Sequence, residues 1–326
     1  MTTEPPVLSA PPFRDRSGGL VGFGIVQIIV GAFCALMVPF MMFAMLIPKP
    51  PDQENVGPGI FVMGMLIYGV MAIAIIWLGI GSIKAQRWAR TLTMVVSWST
   101  LFYGVIMLPV MVAAILFMPL SAANGQEIPP SAKIFVLVFA GGFAGTFFIL
   151  LPGLMAWFYS RADVRATCET RHPWRSWTDA CPPTVLLLSL WQIFGGAMFL
   201  ILILTNYPAL PMFGQILSGW TSVPVGLVLT VLMCGGGWLL YRLKAAGWWL
   251  TLGVVLLYVI SGVMNALWLD YGDMYRAMGY SDARVEQMAQ VGNFMHGPLG
   301  IVMIFVGFLP MVVLLGYIRK YFVKRG

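Results

Sequence analysis

The chain has 326 residues, 60% of them hydrophobic and only 10% charged, with a mean hydropathy of +0.87. Soluble domains carry roughly 25% charged residues, so this composition excludes a surface solvated by water alone and makes lipid the solvent for much of the molecule. The net charge of +7 comes from Lys and Arg that flank apolar runs rather than interleave with aromatics on a polar face, which excludes nucleic acid as a partner.

Residues 1–17 are rich in proline and carry the mixed charges Glu4, Arg14, Asp15 and Arg16. They read as a disordered cytosolic tail. No short apolar core with a small-residue cleavage site is present there, so no cleavable signal peptide is expected.

Eight apolar runs follow, at 20–47, 59–81, 88–118, 134–159, 184–205, 223–241, 248–269 and 299–318. A helix needs about 20 apolar residues to cross roughly 30 Å of hydrocarbon. The first, third and fourth runs exceed that length and are expected to tilt, kink or project. None shows the dyad alternation of barrel strands. Backbone in lipid must be hydrogen-bonded internally, so the expected class is an all-α integral membrane protein with eight transmembrane helices. Pro39, Pro109, Pro152 and Pro310 fall inside runs and are expected to kink them.

The basic residues fix an expected orientation. Arg14 and Arg16, then Lys84, Arg87 and Arg90, then Arg161, Arg165, Arg171 and Arg175, then Arg242 and Lys244, and finally Arg319, Lys320, Lys324 and Arg325 fall in the tail, the even-numbered connections and the C-terminus. These fifteen oppose only Lys49, Lys133, Arg276 and Arg284 on the other side. The positive-inside rule then places both termini in the cytosol. Arg90, assigned to the second connection, overlaps the start of the third run; no other Asp, Glu, Lys or Arg falls within a run, which argues against proton-coupled transport and voltage sensing.

The chain reads as internally duplicated. Gln27-Ile28 and Gly31-Ala32 recur as Gln192-Ile193 and Gly196-Ala197, Lys84-Ala85 and Trp88 as Lys244-Ala245 and Trp248, and Leu151-Pro152 as Leu309-Pro310. The offset runs from 165 through 160 to 158. Four spans return the chain to its starting side, so the expectation is two parallel four-helix repeats, 18–160 and 183–326, joined by a cytosolic linker over 161–182. The second repeat adds an outer segment, 270–297, where Asp270, Asp273, Asp282 and Glu286 accompany Met274, Met278, Val285, Met288 and Met295 at near-helical spacing. It reads as an acidic amphipathic cap over the helix ends, or more sharply as a lid or partner-binding element.

Intramembrane polar groups are few. Gln27 and Gln192 occupy equivalent sites and are expected to meet near the axis between repeats, as interhelical glue or as the lining of a path. Ser97, Ser99, Thr100 and Tyr103 on the third span, with Ser261 and Asn265 on the seventh, form a second polar zone. In the linker, Cys168, His172, Asp179 and Cys181 have the side-chain types of a zinc site, but their C-x3-H-x8-C spacing fits no common template. The expected linker is a tether with Trp174 and Trp177 against the headgroups. The 23 methionines read as gap-filling apolar residues rather than copper ligands. Gly141-x3-Gly145 and Gly235-Gly236-Gly237 should permit close helix approach. No hydrolase elbow, zincin signature or clustered His/Asp set is present, so no catalytic, cofactor-binding or metal-binding residue is assigned.

The segment from Gly79 to Arg90, a glycine pair followed by basic-Trp-Ala-Arg, resembles the connection between second and third spans in bacterial four-span membrane proteins that share no agreed activity. That resemblance implies a bacterial cytoplasmic (inner) membrane. The functional expectation is a non-enzymatic accessory, assembly or signal-coupling component, with the bilayer and a membrane-protein or homo-oligomeric partner. The alternative is an uncoupled channel or facilitator for a small neutral or weakly polar solute.

Overall fold

Among the described residues, eight helical stretches are long and apolar enough to cross a membrane, from Ser17–Leu46 to Gly297–Phe322. The structure, a computed structural model, describes residues 13–46, 58–117, 129–204, 209–278, 280, 282, 285, 286, 288 and 296–323. The chain is a multi-pass α-helical membrane protein. Its outer surface supports this: Ile29, Phe33, Leu36, Phe40 and Phe43 on one helix, and Phe135, Val138 and Phe139 on another, are all at least half exposed. Apolar exposure on this scale is stable only against hydrocarbon.

The first half comprises α1 (Ser17–Leu46), α2 (Pro58–Ile83), α3 (Arg87–Phe117), α4 (Pro130–Ala144) and α5 (Leu151–Tyr159), the last two joined by a π-turn over Gly145–Leu150. The linker folds as α6 (Ala162–Arg171) and a 3-10 turn (Trp177–Asp179). The second half comprises α7 (Pro183–Leu204), a hairpin of β1 (Ala209–Met212) and β2 (Gln215–Ser218), α8 (Ser222–Tyr241), α9 (Ala245–Trp268), α10 (Tyr271–Ala277), α11 (Gly297–Ile318) and α12 (Lys320–Val323).

Within each half the first two helices pack closely. A Cβ on Gly79 would stand 2.7 Å from the Gly24 carbonyl oxygen and 2.8 Å from Ile28; one on Gly237 would stand 2.7 Å from the Ser189 carbonyl oxygen and 2.8 Å from Ile193. Small residues let backbones approach where hydrocarbon offers no hydrophobic drive. The glycines expected to do this on α4 do not. Nothing lies within 4 Å of a Cβ built on Gly141 or Gly145, because spacing alone does not say which neighbour a helix face meets.

The connections after α2 and α8 share one geometry. Ala85 and Leu243 take left-handed φ values of 52° and 54°. The N–H groups of Ala85 and Gln86 bond Ser82 and Gly81, as those of Leu243 and Lys244 bond Leu240 and Leu239. The two turns stand 158 residues apart, against the 160 that separate Lys84 and Lys244. The helix after the first turn starts at Arg87, so Arg87 and Arg90 stand in its opening turns rather than in a connection. Both side chains reach the cavity beside the linker.

The proline helices are less alike than their sequence. Pro39, Pro109 and Pro310 sit inside continuous α-helices, whereas Pro152 follows the π-turn, in which the Leu151 N–H reaches back to the Thr146 carbonyl. The two halves meet along α3 and α7. Val95 joins Val185, Leu186 and Leu188 in one buried cluster, and the Trp191 indole N–H donates to Ser99 Oγ at 2.8 Å.

Candidate functional site at the arginine-lined end

The linker is polar in sequence yet structured by its own residues. Val164, Thr167 and Cys168 form a buried face at helical spacing on α6, which packs with Leu20, Met155 and Tyr159 of the first half. Ser176 caps the 3-10 turn reciprocally with Asp179. Cys181 joins the cluster at the root of the second half, with Val185 and Leu240. The end of the tail is also fastened. The Arg16 N–H donates to Thr167 Oγ1 at 3.2 Å, and Arg171 pairs with Asp15 at 3.6 Å. Residues 1–12 of the expected tail lie outside the described residues.

The linker and the foot of α3 enclose a cavity of about 390 Å³. Arg87 and Arg90 of α3, Arg165 and Glu169 of α6, and Arg175 and Asp179 beyond it supply its charged wall. Arg87 is the hub: it lies 3.5 Å from Glu169 and 3.3 Å from Asp179, and donates to the Pro173 carbonyl at 3.2 Å. Arg165 donates to Glu169 at 2.7 Å. Four guanidiniums face two carboxylates, a surplus of two positive charges. Among the described residues no carboxylate pairs with Arg90 or Arg175, and the Arg90 Nε is buried without a hydrogen-bond partner.

The hydrogen bond from Arg165 holds the Glu169 carboxyl below its ordinary range, and Glu169 in turn raises the Arg165 guanidinium. Burial pushes the thiols of Cys168 and Cys181, which also line the cavity, up to about 11 each. Both are therefore neutral and poorly nucleophilic at physiological pH.

The four linker residues with zinc-ligand chemistry form no metal-holding group among the described residues. Cys168 and Cys181 sit in separate buried clusters. His172 Nε2 donates to the Lys84 carbonyl at 2.9 Å, and Asp179 serves Arg87 and the Ser176 cap. Trp174 is 86% exposed and Trp177 46%.

The intramembrane polar residues are divided as well. Gln27 Nε2 donates to Thr93 Oγ1 at 3.1 Å, tying α1 to α3. Gln192 is 1% exposed, packs beside Gly237, and has no partner for either amide atom. The two glutamines therefore serve different helix pairs rather than meeting on an axis. Ser99 accepts from Trp191 while donating to Val95, and Tyr103 packs on the same indole. Thr100 bonds back to Val96, and Ser97 is buried.

Ser261 and Asn265 have another task, one missed in the sequence. They hold the tip of the β1–β2 hairpin: Ser261 Oγ accepts from the Phe213 N–H, Asn265 Oδ1 from the Gly214 N–H at 2.7 Å, and Asn265 Nδ2 donates to the Pro211 carbonyl. Phe213 and Gly214 both have positive φ, the tight hairpin geometry. Of the expected outer segment, α10 is described with Asp270 as its N-cap; 279, 281, 283, 284, 287 and 289–295 lie outside the described residues.

The arginine cavity was also missed. In the sequence its basic residues serve only as orientation signals, and nothing in a linear pattern shows that they converge. Compared with known proteins, the chain matches no family model, no curated protein and no solved structure, so the chemistry of the site rests on its own geometry.

Proposed function

We propose a non-enzymatic accessory, assembly or signal-coupling component of a bacterial cytoplasmic membrane, with both termini cytosolic and two parallel four-helix repeats. The observation that carries this reading is the folded linker. Arg87 of the first half grips it at Glu169, Asp179 and Pro173, and Tyr241 of the second half donates to the Trp177 carbonyl at 3.0 Å. A segment clasped by both halves transmits a displacement of one to the other, which a loose tether does not.

The repeat is supported by the matched turns at Ala85 and Leu243 and by the matched contacts of Gly79 and Gly237. A shared terminal offset of 158 now spans both turns and the Pro152–Pro310 landmark. The orientation is supported by the gathering of Arg16, Arg87, Arg165 and Arg242 at one end of the bundle, where Arg242 stacks on Trp238. Co-purification from native membranes under mild detergent tests the assignment. A partner held in stoichiometric amount is the expected result, and a chain that always emerges alone counts heavily against it.

The facilitator reading keeps one observation in its favour, the buried amide of Gln192 without a partner. Solute flux into reconstituted vesicles separates the two readings.

A further inference from the structure

We propose that the arginine-lined cavity at the linker binds a phosphate ester group, with Arg90 and Arg175 as its principal ligands. Orientation in the membrane requires only that cations lie on one side. It does not require four guanidiniums from three segments to face one cavity, nor a buried guanidinium nitrogen left without a partner. Arg87 and Arg165 are already engaged by Glu169 and Asp179, and these pairs brace the wall. Arg90 and Arg175 have no carboxylate among the described residues, so their donors remain for a ligand.

The charge balance selects the anion. The wall carries a surplus of two, and a phosphate monoester carries about −1.5 to −2 at neutral pH. Planar guanidiniums match phosphate oxygens in paired hydrogen bonds. The volume, about 390 Å³, lies within the roughly 300–1,000 Å³ of small-molecule sites and leaves room for the esterified group. Thr91 and Thr178 also line the cavity and offer hydroxyl donors.

Two sources share this chemistry: a water-soluble phosphate ester, and the headgroup of an anionic phospholipid at the membrane border. The inference builds on the linker as the joint between halves, because a ligand there touches α3 and both linker segments. Its test is separate from that of partner binding: a phosphate can bind whether or not a partner protein co-purifies.

The experiment titrates full-length protein in detergent with glycerol 3-phosphate and, in a second arm, with short-chain phosphatidic acid. Binding is followed by thermal shift and native mass spectrometry, with sodium sulfate and short-chain phosphatidylcholine as controls. Saturable binding in the first arm alone assigns a soluble ester, and in the second alone a lipid headgroup. Arg90→Gln and Arg175→Gln should each weaken binding by about tenfold or more, the loss expected for a charge-assisted hydrogen bond. Arg242→Gln, at the same end but outside the cavity wall, should leave it unchanged. The proposal is overturned if neither arm saturates, if the controls bind as well, or if Arg175→Gln, whose exposed side chain makes misfolding no explanation, binds like the unaltered protein.

Discussion

The backbone carbonyl oxygen of Phe148 occupies the place where a Cβ on Gly104 would stand. Pro152 has no N–H to offer this carbonyl four residues back, and the π-turn widens the helix at the same level. The α3 helix closes against the distorted wall because residue 104 has no side chain. Gly104→Ala sets a rigid backbone group against the added methyl, at a cost of about 1–3 kcal/mol for overpacking, which outweighs the ~1 kcal/mol that alanine gains in helix propensity. The variant should lower the thermal unfolding midpoint in detergent. Gly307→Ala is the control: nothing lies within 4 Å of its Cβ position, so propensity acts alone and the midpoint should hold or rise.

The linker thiols give a second prediction. Cys168 is 1% exposed and Cys181 6%, with burial the first cause of each raised pKa. At pH 7.5 only a minute fraction of either is thiolate. Maleimide should leave both unlabelled in the folded protein and label both after denaturation. Rapid labelling of the native chain would show that α6 does not pack as described.

Glu169 predicts how the linker responds to acid. Its pKa is lowered from an ordinary 4.5, first by the hydrogen bond from Arg165. A carboxylate depressed in the folded state contributes stability in full above its unfolded pKa and loses it as pH falls through the folded value. The linker should therefore hold from neutrality to about pH 4.5 and loosen below it. Glu169→Gln should flatten that acid limb, read as cleavage of the linker by an acid-active protease across the same pH range. An unchanged acid limb in the variant would remove Glu169 from the account.

Much of the membrane architecture was legible because hydrocarbon imposes one dominant rule. Ser17–Leu46 or Gly297–Ile318 can only be helix in lipid, and run length marks them. Packing partners obey no such rule. Gly141 and Gly145 have the spacing of a helix contact and meet nothing, while Gly24 and Gly79, with no shared pattern, touch. The linker was partly readable: Val164, Thr167 and Cys168 fall at the helical period, but over ten residues of mixed charge that signal is weak. The four-residue strands of the hairpin are shorter still, and the Phe213-Gly214 turn was their sole local mark. Convergence of Arg87, Arg90, Arg165 and Arg175 depends on how the linker folds back, which no local pattern carries.

The contact between halves can be weighed directly. Ser99 Oγ donates to the Val95 carbonyl and accepts the Trp191 N–H, so its one donor and one of its acceptor positions serve packing. A double-mutant cycle of Ser99→Ala and Trp191→Phe should give a coupling of about 0.6–1.7 kcal/mol, the range for interhelical bonds in membranes. Ser99→Ala should leave solute flux unchanged if this zone is glue. Zero coupling would place the two side chains apart.

The glutamines separate packing from permeation most sharply, because the two readings assign opposite signs. As glue, the Gln27 amide N–H donates to Thr93 while its Oε1 has no partner, and Gln27→Leu leaves a buried hydroxyl without that contact, lowering stability by about 1 kcal/mol. Gln192 has no partner at either amide atom, so Gln192→Leu removes a desolvated polar group and should raise stability by about 1–3 kcal/mol. If Gln192 instead lines a hydrated path, leucine meets water, stability does not rise, and flux falls. Thermal midpoints and vesicle flux measured on the same pair of variants decide the matter, since higher stability with unaltered flux is compatible with packing alone.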